Sequence, residues 1–311
     1  MIYIIGAGYM AREYAKVLLA LDKPFLVVAR RASAVDEIKS ELGISAYAGS
    51  IKDIIQDTQS TPVEAIVCTP VDTLASITLE LIDLGVKKIL VEKPGALSEA
   101  ELYKIKDASK QANGEVFIGY NRRFFQSTLA LEHKLKEEEL TAANFEITEW
   151  AHLIADDPSS VKVKQKWVLA NTSHVIDFVM HITGQFKELS SFCSGMLPWH
   201  KSAARFVGAG LSNKGILISY CGYWDGPGRW SAEFITTKNR YIFRPMEKLQ
   251  VQKLGSVAVN FDESIDYELD EKFKPGIYLQ TEAYLKGNYQ KLCTIEEQID
   301  AFKLYGKISN Y

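Results

Sequence analysis

An apolar run at residues 2–5 passes straight into Gly6-Ala7-Gly8-Tyr9-Met10-Ala11, and an amphipathic stretch follows over 10–21. A strand that feeds a glycine turn and then a helix constrains the fold more tightly than any compositional figure. Gly6 permits the tight turn, and Gly8 lets backbone amides approach a pyrophosphate at the helix N-terminus. Ala11 allows close helix–strand packing. The context predicts a dinucleotide cradle touched by Gly6, Gly8, Tyr9 and Met10; the alternative is a glycine-rich turn with no ligand.

Further apolar runs at 25–29, 65–68, 88–91 and 116–119 alternate with helical periodicity over 34–42, 73–84 and 100–111. That alternation predicts an α/β Rossmann domain over residues 1–120, with a parallel sheet and helices on both faces. The pattern then changes. One more helix is predicted over 127–139, then antiparallel strands at 143–150, 187–194, 215–223, 232–237 and 240–244. A helix over 173–183 stops at Gly184, and two more, near 278–291 and 295–305, close the chain. Residues 121–311 are therefore expected to form an α+β domain with a large open-faced antiparallel sheet, the C-terminal helix packing back on the Rossmann domain.

A chain of 311 residues suits two such domains. Its 36 basic and 39 acidic side chains, net charge −3, are spread along the sequence and leave no footprint for a nucleic-acid partner. Cys68, Cys193, Cys221 and Cys293 form no CxxC pair, which argues for free thiols rather than a zinc or disulfide framework. The absence of a basic leader and of any membrane-length apolar stretch leads to the expectation of a cytoplasmic protein without a membrane partner.

The second predicted strand ends at Val28-Ala29, where an NAD site usually carries a carboxylate for the ribose 2′-hydroxyl. This chain has Arg30-Arg31 there and no acid before Asp36. Guanidinium groups suit a 2′-phosphate, so NADP(H) is expected over NAD(H); the alternative is that both arginines are merely solvated. Thr69-Pro70 is expected to face the ribose and nicotinamide end. Leu90-Val91-Glu92-Lys93-Pro94 delivers Lys93 to the carboxyl edge of the sheet, the edge on which doubly wound folds bind ligands.

Together, Gly6-x-Gly8-x-x-Ala11, Thr69-Pro70, Glu92-Lys93-Pro94, Gly119-Tyr120-Asn121-Arg122-Arg123-Phe124 and His174-Val175-Ile176-Asp177 make the whole chain resemble the Gfo/Idh/MocA family of glucose-fructose oxidoreductase and inositol dehydrogenase relatives. The resemblance implies hydride transfer between NAD(P) and a hydroxyl or keto carbon, most often of a sugar or cyclitol, and a homodimer or homotetramer. It implies that Glu92 and Lys93 lie at the cofactor, that Lys93 orients the reacting oxygen, and that His174 moves the proton. Imidazole, with an unperturbed pKa of about 6.5, suits that task.

One departure matters. Many members carry an aspartate four residues before the histidine, where this chain has Ala170. Asp177, on the same helical face as His174, either substitutes for it or braces the structure. His174, Asp177 and His181 share a face that could hold a metal, but no carboxylate-rich surroundings accompany them, and no metal is expected. The aromatic segment 220–230 offers Trp224 for stacking and Arg229 for a carboxylate or phosphate, unless its rings pack on the sheet or an interface. Asn121 is expected to touch substrate and Arg123 to be structural. Competing readings are redox-assisted elimination or hydrolysis with retained cofactor, and a dinucleotide-binding regulator without turnover.

Overall fold

The computed structural model describes residues 1–311. Its backbone divides into two compact units, one formed by 1–121 with 272–299 and the other by 122–271 with 300–311.

In the first unit, strands β1 (Ile2–Ile5), β2 (Phe25–Ala29), β3 (Ala46–Ala48), β4 (Glu64–Val67), β5 (Lys88–Glu92) and β6 (Glu115–Gly119) run parallel in the order 3-2-1-4-5-6. The short strand Cys293–Thr294 adds antiparallel to β6. The strands are continuous apolar runs because helices cover both faces of the sheet. Tyr3, Ile4, Val27, Ile66 and Leu90 are fully buried, and a large apolar side chain so placed contributes about 1.5–3 kcal/mol. Helix α1 (Tyr9–Ala20) packs against the helix Ile277–Lys286, whose Tyr284 hydroxyl donates to the Ala65 carbonyl across 3.3 Å. Strand order reverses between β1 and β4, opening a crevice at their carboxyl ends.

The second unit holds eight strands: β7 (Leu140–Glu146), β8 (Phe186–Ser194), β9 (Arg205–Ser212), β10 (Leu217–Tyr223), β11 (Ser231–Thr236), β12 (Asn239–Phe243), β13 (Gln250–Lys253) and β14 (Asn260–Phe261). They lie in the order 14-13-12-11-7-10-9-8. The sheet is mostly antiparallel, as expected, with one exception: β7 and β10 pair parallel. Strand β7 inserts between β10 and β11, so segment 220–230 is a crossing connection rather than a hairpin. The helix Ser173–Thr183 covers one face, with Phe178 packed edge-on against Phe234 and Phe243 at 5.5 and 5.0 Å. No helix is long and apolar enough to cross a membrane.

Candidate active site

Gly6 leaves β1 at φ +115°, a conformation that side chains rarely adopt, and a Cβ there would lie 2.6 Å from the Cys68 carbonyl oxygen. The turn is pinned on both sides: Gly6 N–H donates to Val28 O and Cys68 N–H to Ile5 O, each at 2.8 Å. Gly8 caps α1 without a side-chain bond, no acid occupies the first turn, and a Cβ on Gly8 would meet nothing within 4 Å. The exposed helix N-terminus therefore faces open space, which fits a pyrophosphate. Tyr9 is exposed and Met10 half-buried beside it. Arg12 braces the turn by donating to Ala7 O at 2.8 Å, while its other nitrogens hold Glu37 and Glu41 at 3.2 and 2.7 Å.

Thr69, just beyond β4, buries its Oγ1 without a hydrogen-bond partner, a hydroxyl that fits pairing with a ribose hydroxyl. Pro70 follows, exposed. Arg30 and Arg31 are exposed beyond β2, with Arg31 capping the helix Ala32–Leu42. These residues fit a nicotinamide dinucleotide. Gly8→Asp is expected to leave the melting temperature within a few degrees and to weaken dinucleotide binding on the order of 100-fold, because like charges would then meet at the helix N-terminus. Unchanged affinity by fluorescence titration would refute that placement.

Lys93 stands half-buried at the carboxyl end of β5, followed by a tight turn in which Gly95 N–H donates to Glu92 O at 3.0 Å. Gly95 adopts φ +80° there. Beneath the lysine, the buried Glu92 carboxylate accepts from the Tyr14 hydroxyl at 3.0 Å. Gln280 donates to that hydroxyl at 3.1 Å and accepts from the backbone N–H of Tyr120 and Asn121. Burial pushes the Glu92 carboxyl above its ordinary range, and the Lys93 charge partly offsets this. The folded state thus binds an extra proton in that window, so stability falls as pH rises from the ordinary glutamate value towards the raised one. Glu92→Gln should flatten this slope in urea midpoints measured across pH. Asn121 is buried, its amide donating to Pro275 O at 2.8 Å.

In the second unit a π-helical turn, Val168–Thr172, runs into the helix Ser173–Thr183 and sets His174, half-buried, in its first turn. The imidazole lies 6.4 Å from the Trp230 ring. Ala170 is buried within the π-helical turn. Asp177 is also buried, and Arg123 binds both its oxygens, Nη2 to Oδ1 at 2.6 Å and Nε to Oδ2 at 3.0 Å. His181 instead meets Glu132 at 2.8 Å. The three polar side chains of this helix face are thus divided among separate contacts.

Trp224 is 2% exposed, donates to Ile147 O at 2.8 Å and stacks on Trp199 and His200. Its ring has no free face for a ligand. Arg229 is half-exposed and packs over Trp150 and Trp230 at 4.7 and 4.6 Å. Sequence reasoning missed Glu149. Its buried carboxylate accepts from Asn171 at 3.1 Å, Thr172 at 2.7 Å and Arg229 at 3.2 Å, so an acid meets the segment just after Ala170. No local signal marks Glu149: the alternating pattern predicts a strand over 143–150, whereas β7 ends at Glu146 and Glu149 lies beyond it.

The glycine cradle at a strand-order reversal defines a dinucleotide-binding domain, joined in this chain to a unit built on a large mixed sheet. Residues 1–120 match the family model described as "Oxidoreductase family, NAD-binding Rossmann fold". The matched region is the NAD-binding domain of the Gfo/Idh/MocA model, 120 of the 311 residues. The myo-inositol 2-dehydrogenase of Thermotoga maritima is 22% identical over 189 residues, 58% of this chain and 54% of the relative, so the match spans about half the relative's length. Among solved structures, a levoglucosan dehydrogenase in complex with NADH and levoglucosan shares the fold at TM-score 0.77 and 16% identity, covering 99% of this chain and 95% of the other. A UDP-N-acetylglucosamine 3-dehydrogenase from Acidithiobacillus ferrooxidans matches at TM-score 0.77 and 14% identity, with the same coverage. A Gfo/Idh/MocA family oxidoreductase from Vibrio cholerae matches at 0.78 and 17%, covering 99% and 96%.

Proposed function

We propose that this protein is a nicotinamide-dependent oxidoreductase acting on a hydroxyl or keto carbon of a sugar or nucleotide sugar. The observation that carries the reading is Lys93, delivered by β5 to the carboxyl edge of a sheet whose glycine cradle fits a dinucleotide. Sugar and cyclitol dehydrogenases among the relatives support the substrate class. When bound, the nicotinamide supplies the hydride acceptor or donor. Gly6, Gly8, Tyr9 and Met10 would hold the dinucleotide's phosphates, and Thr69 and Pro70 its ribose end. The Lys93 ammonium donates to the substrate oxygen and stabilises the negative charge that develops there. His174 takes the hydroxyl proton during oxidation and returns it during reduction. Asp177 acts through position, by fixing Arg123 beneath the histidine's helix.

Arg30 and Arg31 support NADP(H), because the neighbouring acids Glu37 and Glu41 are engaged by Arg12. Arg30→Asp is expected to shift the NADPH-to-NADH affinity ratio by about 10- to 100-fold towards NADH; an unchanged ratio would reassign the preference. Phe192, Val207, Leu217 and Tyr223 expose one apolar face across β8, β9 and β10, which supports a homo-oligomer formed through that face. A screen of sugars and nucleotide sugars, following nicotinamide absorbance with both cofactors, tests the reading. Turnover that requires His174 supports it, and no turnover with any sugar in cofactor-loaded protein counts against it.

A further inference from the structure

We propose that the substrate ring carries an oxyanion, a carboxylate or a phosphate, gripped by Arg122 and Arg229 around Trp230. This rests on the oxidoreductase reading and names the chemical class of its substrate. Arg122 packs over Trp230 and Phe125 at 4.9 and 5.6 Å, and its Nε is buried without a hydrogen-bond partner. It is the one arginine of the second unit with no carboxylate within 4.0 Å; Arg123, Arg205, Arg229, Arg240 and Arg244 all have one. Arg122 as a whole is half-buried, but its Nε is a cationic donor withdrawn from water and left unmatched, which is costly unless a ligand completes it.

Arg229 lies on the same tryptophan and is steadied by Trp150 and Glu149, yet it remains half-exposed. Trp230 Nε1 is also buried without a partner. Two guanidiniums therefore lie against one indole ring, and the buried indole N–H adds an unmatched donor beside them. A neutral sugar brings as many donors as acceptors, whereas an oxyanion brings lone pairs alone. The ring that both arginines cover also lies 6.4 Å from His174, which ties the cluster to the proposed chemistry.

Nearby carboxylates do not meet this demand. Glu149 is shared among Asn171, Thr172 and Arg229, and Asp177 is bound by Arg123. Glu247 attracts Arg122 without bonding it. Burial, together with the Arg229 charge, lowers the Arg122 pKa to about 10, a strain that a bound anion relieves.

The test is calorimetric titration of the protein, with and without saturating NADPH, by D-glucose, D-glucuronate and D-glucose 6-phosphate at matched ionic strength. At least one anionic sugar should bind on the order of 10- to 100-fold more tightly than glucose. Preference for glucuronate alone identifies a carboxylate, and preference for the phosphate alone identifies a phosphoryl group. Arg122→Gln and Arg229→Gln should each erase most of the preference, weakening the anionic sugar far more than glucose; the half-exposed Arg229 keeps the test valid if the Arg122 variant does not fold. Equal affinities, no binding of either anion, or a preference that survives both substitutions would overturn the proposal. NADPH or NADH binding with turnover of neutral sugars only would reject the anion site and keep the oxidoreductase. Anion selectivity in protein that never binds a dinucleotide would do the reverse.

Discussion

Asp177→Ala should destabilise the protein by about 3–5 kcal/mol, because it leaves the Arg123 guanidinium buried without that carboxylate. Both side chains are at most 5% exposed, so water cannot replace the lost charge. Replacing the pair together, Arg123→Met with Asp177→Leu, should recover most of the loss, since breaking a buried pair costs more than removing it. Urea unfolding of the three variants decides the matter. A loss below about 1 kcal/mol in Asp177→Ala would mean that the pair does not brace the His174 helix.

Lys93→Met should lower kcat/KM on a turned-over sugar by about 10²–10⁴-fold, with dinucleotide affinity changed only a few-fold. The asymmetry follows from the proposed role: the ammonium stabilises charge on the substrate oxygen, while the glycine cradle carries the cofactor's phosphates. A variant that loses dinucleotide binding and turnover in parallel would move Lys93 from chemistry to cofactor retention. Full activity would remove it from the site.

Much of the first unit was legible because its signals are local. A glycine after an apolar run announces the turn at Gly6, and both-face burial keeps the strand interiors apolar. Strand β3 escaped notice because three residues carry no readable period. Strand β9 was hidden by Gly208 and Gly210, poor strand formers that packing demands: a Cβ on Gly208 would lie 2.5 Å from the Tyr220 ring, and one on Gly210 2.1 Å from Glu188 O. The parallel pairing of β7 with β10 depends on which strand inserts between which, and no short window encodes that. The site behaved likewise. Lys93 and His174 stand in recognisable motifs, whereas the role of Glu149 arises from partners 22, 23 and 80 residues away. Trp224 looked like a ligand platform in sequence, and Trp199 and His200 fold over it to make it core.

The most direct measurement is titration of protein shown to carry no nucleotide with NADH and NADPH, following nicotinamide fluorescence. The account predicts saturable binding of at least one of them, weakened by Gly8→Asp in a variant that stays folded. Binding of neither, in protein that unfolds cooperatively and is free of retained nucleotide, would contradict the oxidoreductase reading.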